Sequence, residues 1–449
     1  MKRLVWLLAL AACDDGGEAS PPPEPGAPPP RPPPSRTSPW TTTTIATGGV
    51  GLQAALARSP AGALALAVFS ATGRPDGPCA GLGEAAGDQI RWPLLVARPT
   101  AGGWSTTEVA APIELGDPTG VAAAFDPSGD LVLALRTGEP DVMARYCGAH
   151  DLALARASTG FAPEVLVQQS GDAATGDAAS DFGTVVGQWP ALAFAADGRT
   201  LVAWKDVHAG SIQRDDRARA DLEIARGGPG GFALEAVDAG RGAGDHTVAG
   251  FDPAGRAVLV DENPVEETAD RLGIWARRER DDGFAEVRLW ELPAGHRPGL
   301  AFAADGTTLV SFYDAAAGRP MLASLPPEAD FTALAAWRFE AVGDARFREG
   351  EGVQVAVSPA GFVTLAWRRC GRVGDAGCSA QQDAVVFAWQ ADGEWTREVV
   401  EPGGEGLCGE DVQLAYDGGG QAVVTWRCSR PVGDAFEFVV EGATREVLR

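Results

Sequence analysis

Four histidines, their acidic neighbours and one recurring basic column are the side chains here with the types and spacing for chemistry. His208 lies two positions after Asp206, and His246 directly follows Asp245. An imidazole beside a carboxylate can ligate a metal ion or carry a proton near neutral pH. One position of a repeated unit, set out below, carries Phe69, Arg136, Lys205, Glu262, Tyr313, Arg368 and Arg427. Four of these seven are basic, in a chain with 61 acidic residues against 37 Lys and Arg and a net charge of −24. We therefore expect any ligand site among Arg136, Lys205, Asp206, His208, His246, Tyr313, Arg368 and Arg427, where an anion or a carbohydrate would find donors. The alternative is that the basic column makes salt bridges and the histidines are solvated loop residues.

Other chemistry is missing from the sequence. It contains no Gly-x-Ser-x-Gly, phosphate-binding loop, His-Glu-x-x-His or EF-hand pattern, so no catalytic residue is assigned. Gly171–Asp181 carries Asp172, Asp177 and Asp181 without the alternate spacing of a calcium loop. No cofactor is expected, with calcium left open. The acidic balance argues against nucleic acid, whose phosphates need a basic face, and against electrostatic attachment to anionic lipid.

Lys2 and Arg3 precede a nine-residue apolar stretch, Leu4–Ala12. That is too short to span a bilayer and has the form of a signal peptide. Leu10-Ala11-Ala12-Cys13 resembles the bacterial lipobox, in which the chain is cleaved before the cysteine and the thiol is acylated. The resemblance implies a signal peptide over 1–12 and lipidation at Cys13. It also implies a lipid-anchored protein of the cell envelope, in the periplasm or at the cell surface. Eleven prolines between positions 21 and 39 make 13–39 a linker that cannot pack a core. Export favours disulfides among Cys79, Cys147, Cys370, Cys378, Cys408 and Cys428, and no Cys-x-x-Cys suggests a metal. All six are expected in loops of one rim, paired 79–147, 370–378 and 408–428.

From Trp40 to the end, one unit returns seven times: an aliphatic strand, a turn, then a second aliphatic strand. The turn glycines are Gly62, Gly129, Gly198, Gly255, Gly306, Gly361 and Gly420, spaced 51 to 69 residues apart. Four residues after each glycine stands Leu or Val. The next position is mostly small, and the one after it mostly large, as in Trp204, Trp367 and Trp426. Strand neighbours point to opposite faces, so each sheet has two apolar faces and must be sandwiched between others. A second hairpin follows, clearest at Leu222–Asp238, Gly273–Leu292 and Ala384–Val400. We expect residues 40–449 to form an all-β, seven-bladed β-propeller of four-stranded antiparallel blades, with six or eight blades as alternatives. The chain resembles secreted bacterial propellers built on a repeated Asp-x-x-Gly hairpin. It departs from sialidase-type Asp boxes, because the aromatic lies six residues past the glycine rather than three. Trp40–Thr47 and Thr444–Leu448 compete to close the ring beside Glu437–Val440.

Two functions fit such a fold. One is a non-catalytic monomer that binds a protein or glycan of the envelope through its rim. The other is a polysaccharide hydrolase or lyase with its site at the mouth of the central channel. The alanine-rich inner strands, Ala191–Ala195 and Leu300–Ala304, favour binding and predict no polar cluster in the channel.

Overall fold

Each blade begins with a hairpin whose turn is built the same way seven times. The turn glycine's N–H donates to the carbonyl three residues earlier (Ser59, Asp126, Ala195, Asp252, Ala303, Ser358 and Asp417) at 2.7–3.1 Å. The N–H of that earlier residue donates to the carbonyl one past the glycine. The glycines take φ of 76–90°, which marks a type I turn ending in a one-residue bulge. Side chains complete the turn where they can. The Asp126 Oδ1 accepts from the N–H of Ser128 and of Asp130, and Asp252 and Asp417 repeat this. Where alanine stands in repeats three and five, Asp197 and Asp305 accept from Arg199 and Thr307 instead.

The computed structural model describes residues 40–48, 50–70, 89–110, 113–115, 120–138, 150–168, 185–207, 220–228, 231–238, 242–263, 272–291, 294–344, 347–370, 383–401, 407–432 and 435–445. Residues 1–39, with Cys13, and also Cys79, Cys147, Cys378, His208 and the run 171–181, lie outside them. Among the described residues, seven four-stranded antiparallel sheets form a ring, the expected seven-bladed propeller. Their innermost strands are Val50–Arg58, Ala122–Phe125, Val185–Phe194, Asp245–Phe251, Ala294–Phe302, Arg348–Val357 and Leu407–Tyr416. Blades two and three are also linked by one parallel bridge, His150 to Val185.

Seven hydrophobic clusters, one at each blade-to-blade interface, close the ring. The alternation of strand faces assigns the residues. In blade three, Val202 and Trp204 pack toward blade two, while Leu201 and Ala203 pack toward blade four. Trp204, Trp367 and Trp426 are fully buried at these interfaces. Blade four carries Asp261 at the equivalent place, and Arg277 fills the space. Its guanidinium donates to Asp261 and, at 2.6 Å, to Asp238 of blade three.

The competition for ring closure is decided by register. Ala435–Arg445 runs eleven residues and is the third strand of blade seven, with Arg445 opposite Ala422. The segment containing Thr444 is thereby used, and Thr41–Ala46 takes the outermost place, Thr41 opposite Thr444. Cys408 and Cys428 face each other across the first hairpin of this blade and form the expected disulfide. Cys370 is also disulfide-bonded. One correction concerns placement. Cys370, Cys408 and Cys428 lie within strands rather than loops, because pairing extends farther toward the rim than the hydrophobic runs indicate.

Candidate functional site at the channel mouth

The inner strands share a second irregularity, nine residues ahead of each turn glycine. Gln53, Gly120, Trp189, His246, Arg297, Gly352 and Asp411 occupy that position, and all seven have positive φ. In six blades the strand register slips around the residue, as between Gln188 and Ala191 or Glu410 and Gln413. Such a bulge turns a side chain out of the pleat. Here it turns it toward the axis. A cavity of about 280 Å³ is lined by Gln53, Trp189, His246 and Arg297, with Gln354 and Gln413 from the remaining polar blades. Gly120 completes the seven-blade lining, and only the axis touches all seven inner strands.

Arg297 spans this cavity. From blade five its guanidinium donates to the Gln53 Oε1 of blade one and pairs with Asp411 of blade seven. The Asp411 Oδ2 also accepts the Gln53 N–H at 3.3 Å. The guanidinium carbon lies 5.9 Å from the Trp189 ring centre. Trp189 and His246 stand 4.1 Å apart, centre to centre, with planes tilted by 41°. One wall is therefore aromatic. Beside it, the Gln53 amide and the Arg297 guanidinium line the cavity, the charge of Arg297 balanced by Asp411.

Behind His246, the Glu262 Oε2 lies 3.5 Å from its Nδ1. Burial first, and the nearby Asp245 and Asp261 next, push the Glu262 carboxyl up to about 8, against the opposing pull of Lys205. Glu262 is therefore neutral at pH 7, and the contact with His246 is not an ion pair there.

Of the residues expected from sequence to hold a ligand, His246 lines the cavity. Lys205 is buried and pairs across the blade interface with Asp245 at 2.8 Å. Arg368 pairs with Asp383 at 2.7 Å, and Arg427 with Glu410. Arg136 and Asp206 are buried, and Tyr313 is half-buried in the second strand of blade five. For these three the basic column follows its salt-bridge alternative: Lys205, and Arg368 through Glu410 at 3.9 Å, bridge neighbouring blades, while the Arg368–Asp383 and Arg427–Glu410 pairs lie within single blades. The polar cluster itself corrects the expectation of an apolar channel. Gln53, Trp189, Arg297 and Asp411 were missed because the bulge interrupts the alternating pattern two residues before each aliphatic run. Counting back nine residues from the turn glycines finds them. Among the described residues, Cys408, Cys428 and Glu441 are the grouping with metal-ligand types, and the disulfide consumes both thiolates.

No protein-family model matches the chain, and no curated protein matches it by sequence. Solved structures are similar to it in fold. A protein of unknown function from Dyadobacter fermentans aligns at 10% identity and a TM-score of 0.46, covering 91% of this chain and 98% of that one. The polysaccharide lyase Uly1 aligns at 8% identity and a TM-score of 0.44, covering 85% and 88%. An oligogalacturonate lyase in complex with manganese aligns at 11% identity and a TM-score of 0.41, covering 90% and 97%.

Proposed function

We propose that this chain is a lipid-anchored envelope protein whose propeller binds a neutral saccharide in the axial cavity. One observation carries the binding site. Five of the seven non-glycine residues with positive φ among the described residues stand on this single ring. Left-handed backbone at a non-glycine residue costs on the order of 1–3 kcal/mol. Blade six makes the same bulge with glycine, and blade two has glycine at positive φ there without a bulge, so the backbone alone does not need Gln53, Trp189, His246, Arg297 or Asp411. Their side chains account for the cost, and all five meet at the axis. An aromatic face suits the C–H face of a sugar, and amide, guanidinium and carboxylate edges suit its hydroxyls. The internal Arg297–Asp411 pairing favours a neutral ligand over an anion. The anchor rests on Lys2, Arg3, the stretch Leu4–Ala12 and the tetrad Leu10–Cys13.

Calorimetric titration with trisaccharides ending in glucose, galactose, mannose or N-acetylglucosamine tests the site. Trp189→Ala should weaken the best binder by about thirtyfold, the effect of truncating an aromatic anchor worth about 2 kcal/mol. Absence of binding to any member, or equal binding by the variant, would overturn the assignment.

The proximity of His246 to Glu262 favours one second reading, a polysaccharide hydrolase or lyase using His246 as base or acid. New reducing ends or unsaturated products, made by the parent and lost in His246→Ala, would replace binding by catalysis.

A further inference from the structure

Three arginines from three blades converge on two adjacent acids in the first strand of blade seven. Arg427 of the same blade pairs with Glu410, and Arg368 of blade six reaches it at 3.9 Å. Arg297 of blade five pairs with Asp411, whose Oδ2 also accepts the Gln53 N–H of blade one at 3.3 Å. The backbone under these acids is irregular. The six residues from Cys408 to Gln413 face only the four from Thr425 to Cys428, and the register slips on both sides of Glu410. Toward the rim the pairing continues by one residue past Cys408, Leu407 opposite Ser429. The covalent tie at that short end is the buried Cys408–Cys428 disulfide.

We propose that Cys408 and Cys428 are positioning residues of the axial cavity, whose bridge fixes the register that keeps Glu410 on Arg427 and Arg368 and Asp411 on Arg297. Neither cysteine lines the cavity, so the bridge acts through the acids alone. A slip of one residue would exchange the sides on which Glu410 and Asp411 stand, because side chains alternate along a strand. Arg297 would then bring an unbalanced charge into the cavity, and the Gln53 N–H would lose this acceptor. The effect on ligand affinity rests on the saccharide reading; the register does not.

Cys408→Val with Cys428→Val replaces the bond by an apolar cross-strand pair, and the double alanine variant is its companion. Melting temperatures confirm folding. In unliganded protein, hydrogen exchange at the Gln53 amide, 358 residues from Asp411, should quicken about tenfold without the bridge. Amides of Ala257–Asn263 in blade four should change less than about twofold. Asp411→Asn, which tolerates the positive φ, should quicken Gln53 alike in the parent and add little to the bridgeless chain. Bridge removal and Asp411→Asn should each weaken the best trisaccharide roughly tenfold, and together far less than the hundredfold of independent effects. Unchanged Gln53 exchange, equal quickening in every blade, or additive losses would overturn the proposal and leave the bridge a general staple. If Gln53 responds as expected but the parent binds no sugar, the saccharide reading falls and the positioning role stands.

Discussion

At the scale of single residues, Glu262 shows how position redefines a side chain. The sequence places it in the same column as Lys205 and Arg427, and nothing in the spacing separates a rim acid from a buried one. Burial does. With a folded-state value near 8 against an ordinary 4.5, Glu262 holds its proton in the folded chain where the unfolded chain has released it. Between these values the folded state binds more protons, so stability falls as pH rises through about 4.5 to 8. Glu262→Gln keeps the shape and has no proton to lose. Its melting temperature should match the parent's at pH 5 and exceed it at pH 9 by about 2 °C or more. Parallel pH profiles would mean that Glu262 is ionised in the fold. The same scale explains what was hidden in the cavity. Trp189 and Arg297 carry no motif. Their common register is visible only once the turn glycines are used as a ruler.

At the scale of elements, closure of the ring depends on six residues from the start of the described chain. Thr41–Ala46 supplies the outer strand of blade seven, and Trp40 and Ile45 bury their side chains there, Trp40 edge-on to Phe387 at 5.0 Å. Each such burial contributes about 1.5–3 kcal/mol. A chain lacking Trp40–Ala46 should lose about 3–6 kcal/mol in urea unfolding and expose a bare strand edge. A loss under about 1 kcal/mol would show that the hydrophobic interfaces hold the ring shut without the strand. The hairpins were legible because glycine, aspartate and a period-two apolar pattern act within a few residues. Ring closure was not, because Trp40–Thr47 and the C-terminal segment have similar β-forming composition, and choosing between them needs the length of Ala435–Arg445. The cavity was illegible for a related reason, since its walls come from positions hundreds of residues apart. Arg297 and Gln53 are separated by 244.

At the scale of the whole molecule, charge and architecture bear on the membrane attachment proposed above. A ring closed by seven apolar interfaces has used its hydrophobic surface internally, and Leu234, Leu334 and Val432 are the large apolar side chains left exposed among the described residues. At net −24 the chain is repelled by anionic lipid. Among the described residues no large apolar patch offers attachment, so the proposed membrane association would rest on the anchor proposed at Cys13. Acyl chains contribute about 0.8 kcal/mol per buried CH₂, and that contribution is indifferent to salt. In a bacterial host, the parent protein should incorporate labelled palmitate and stay with the membrane fraction through a high-salt wash, leaving only in detergent. Cys13→Ser should lose the label and the membrane association, while the purified propeller keeps the parent's melting temperature and saccharide affinity. Retention of Cys13→Ser on the membrane until salt is added would assign attachment to a protein partner at the rim, and retention through salt would assign it to an uncleaved leader.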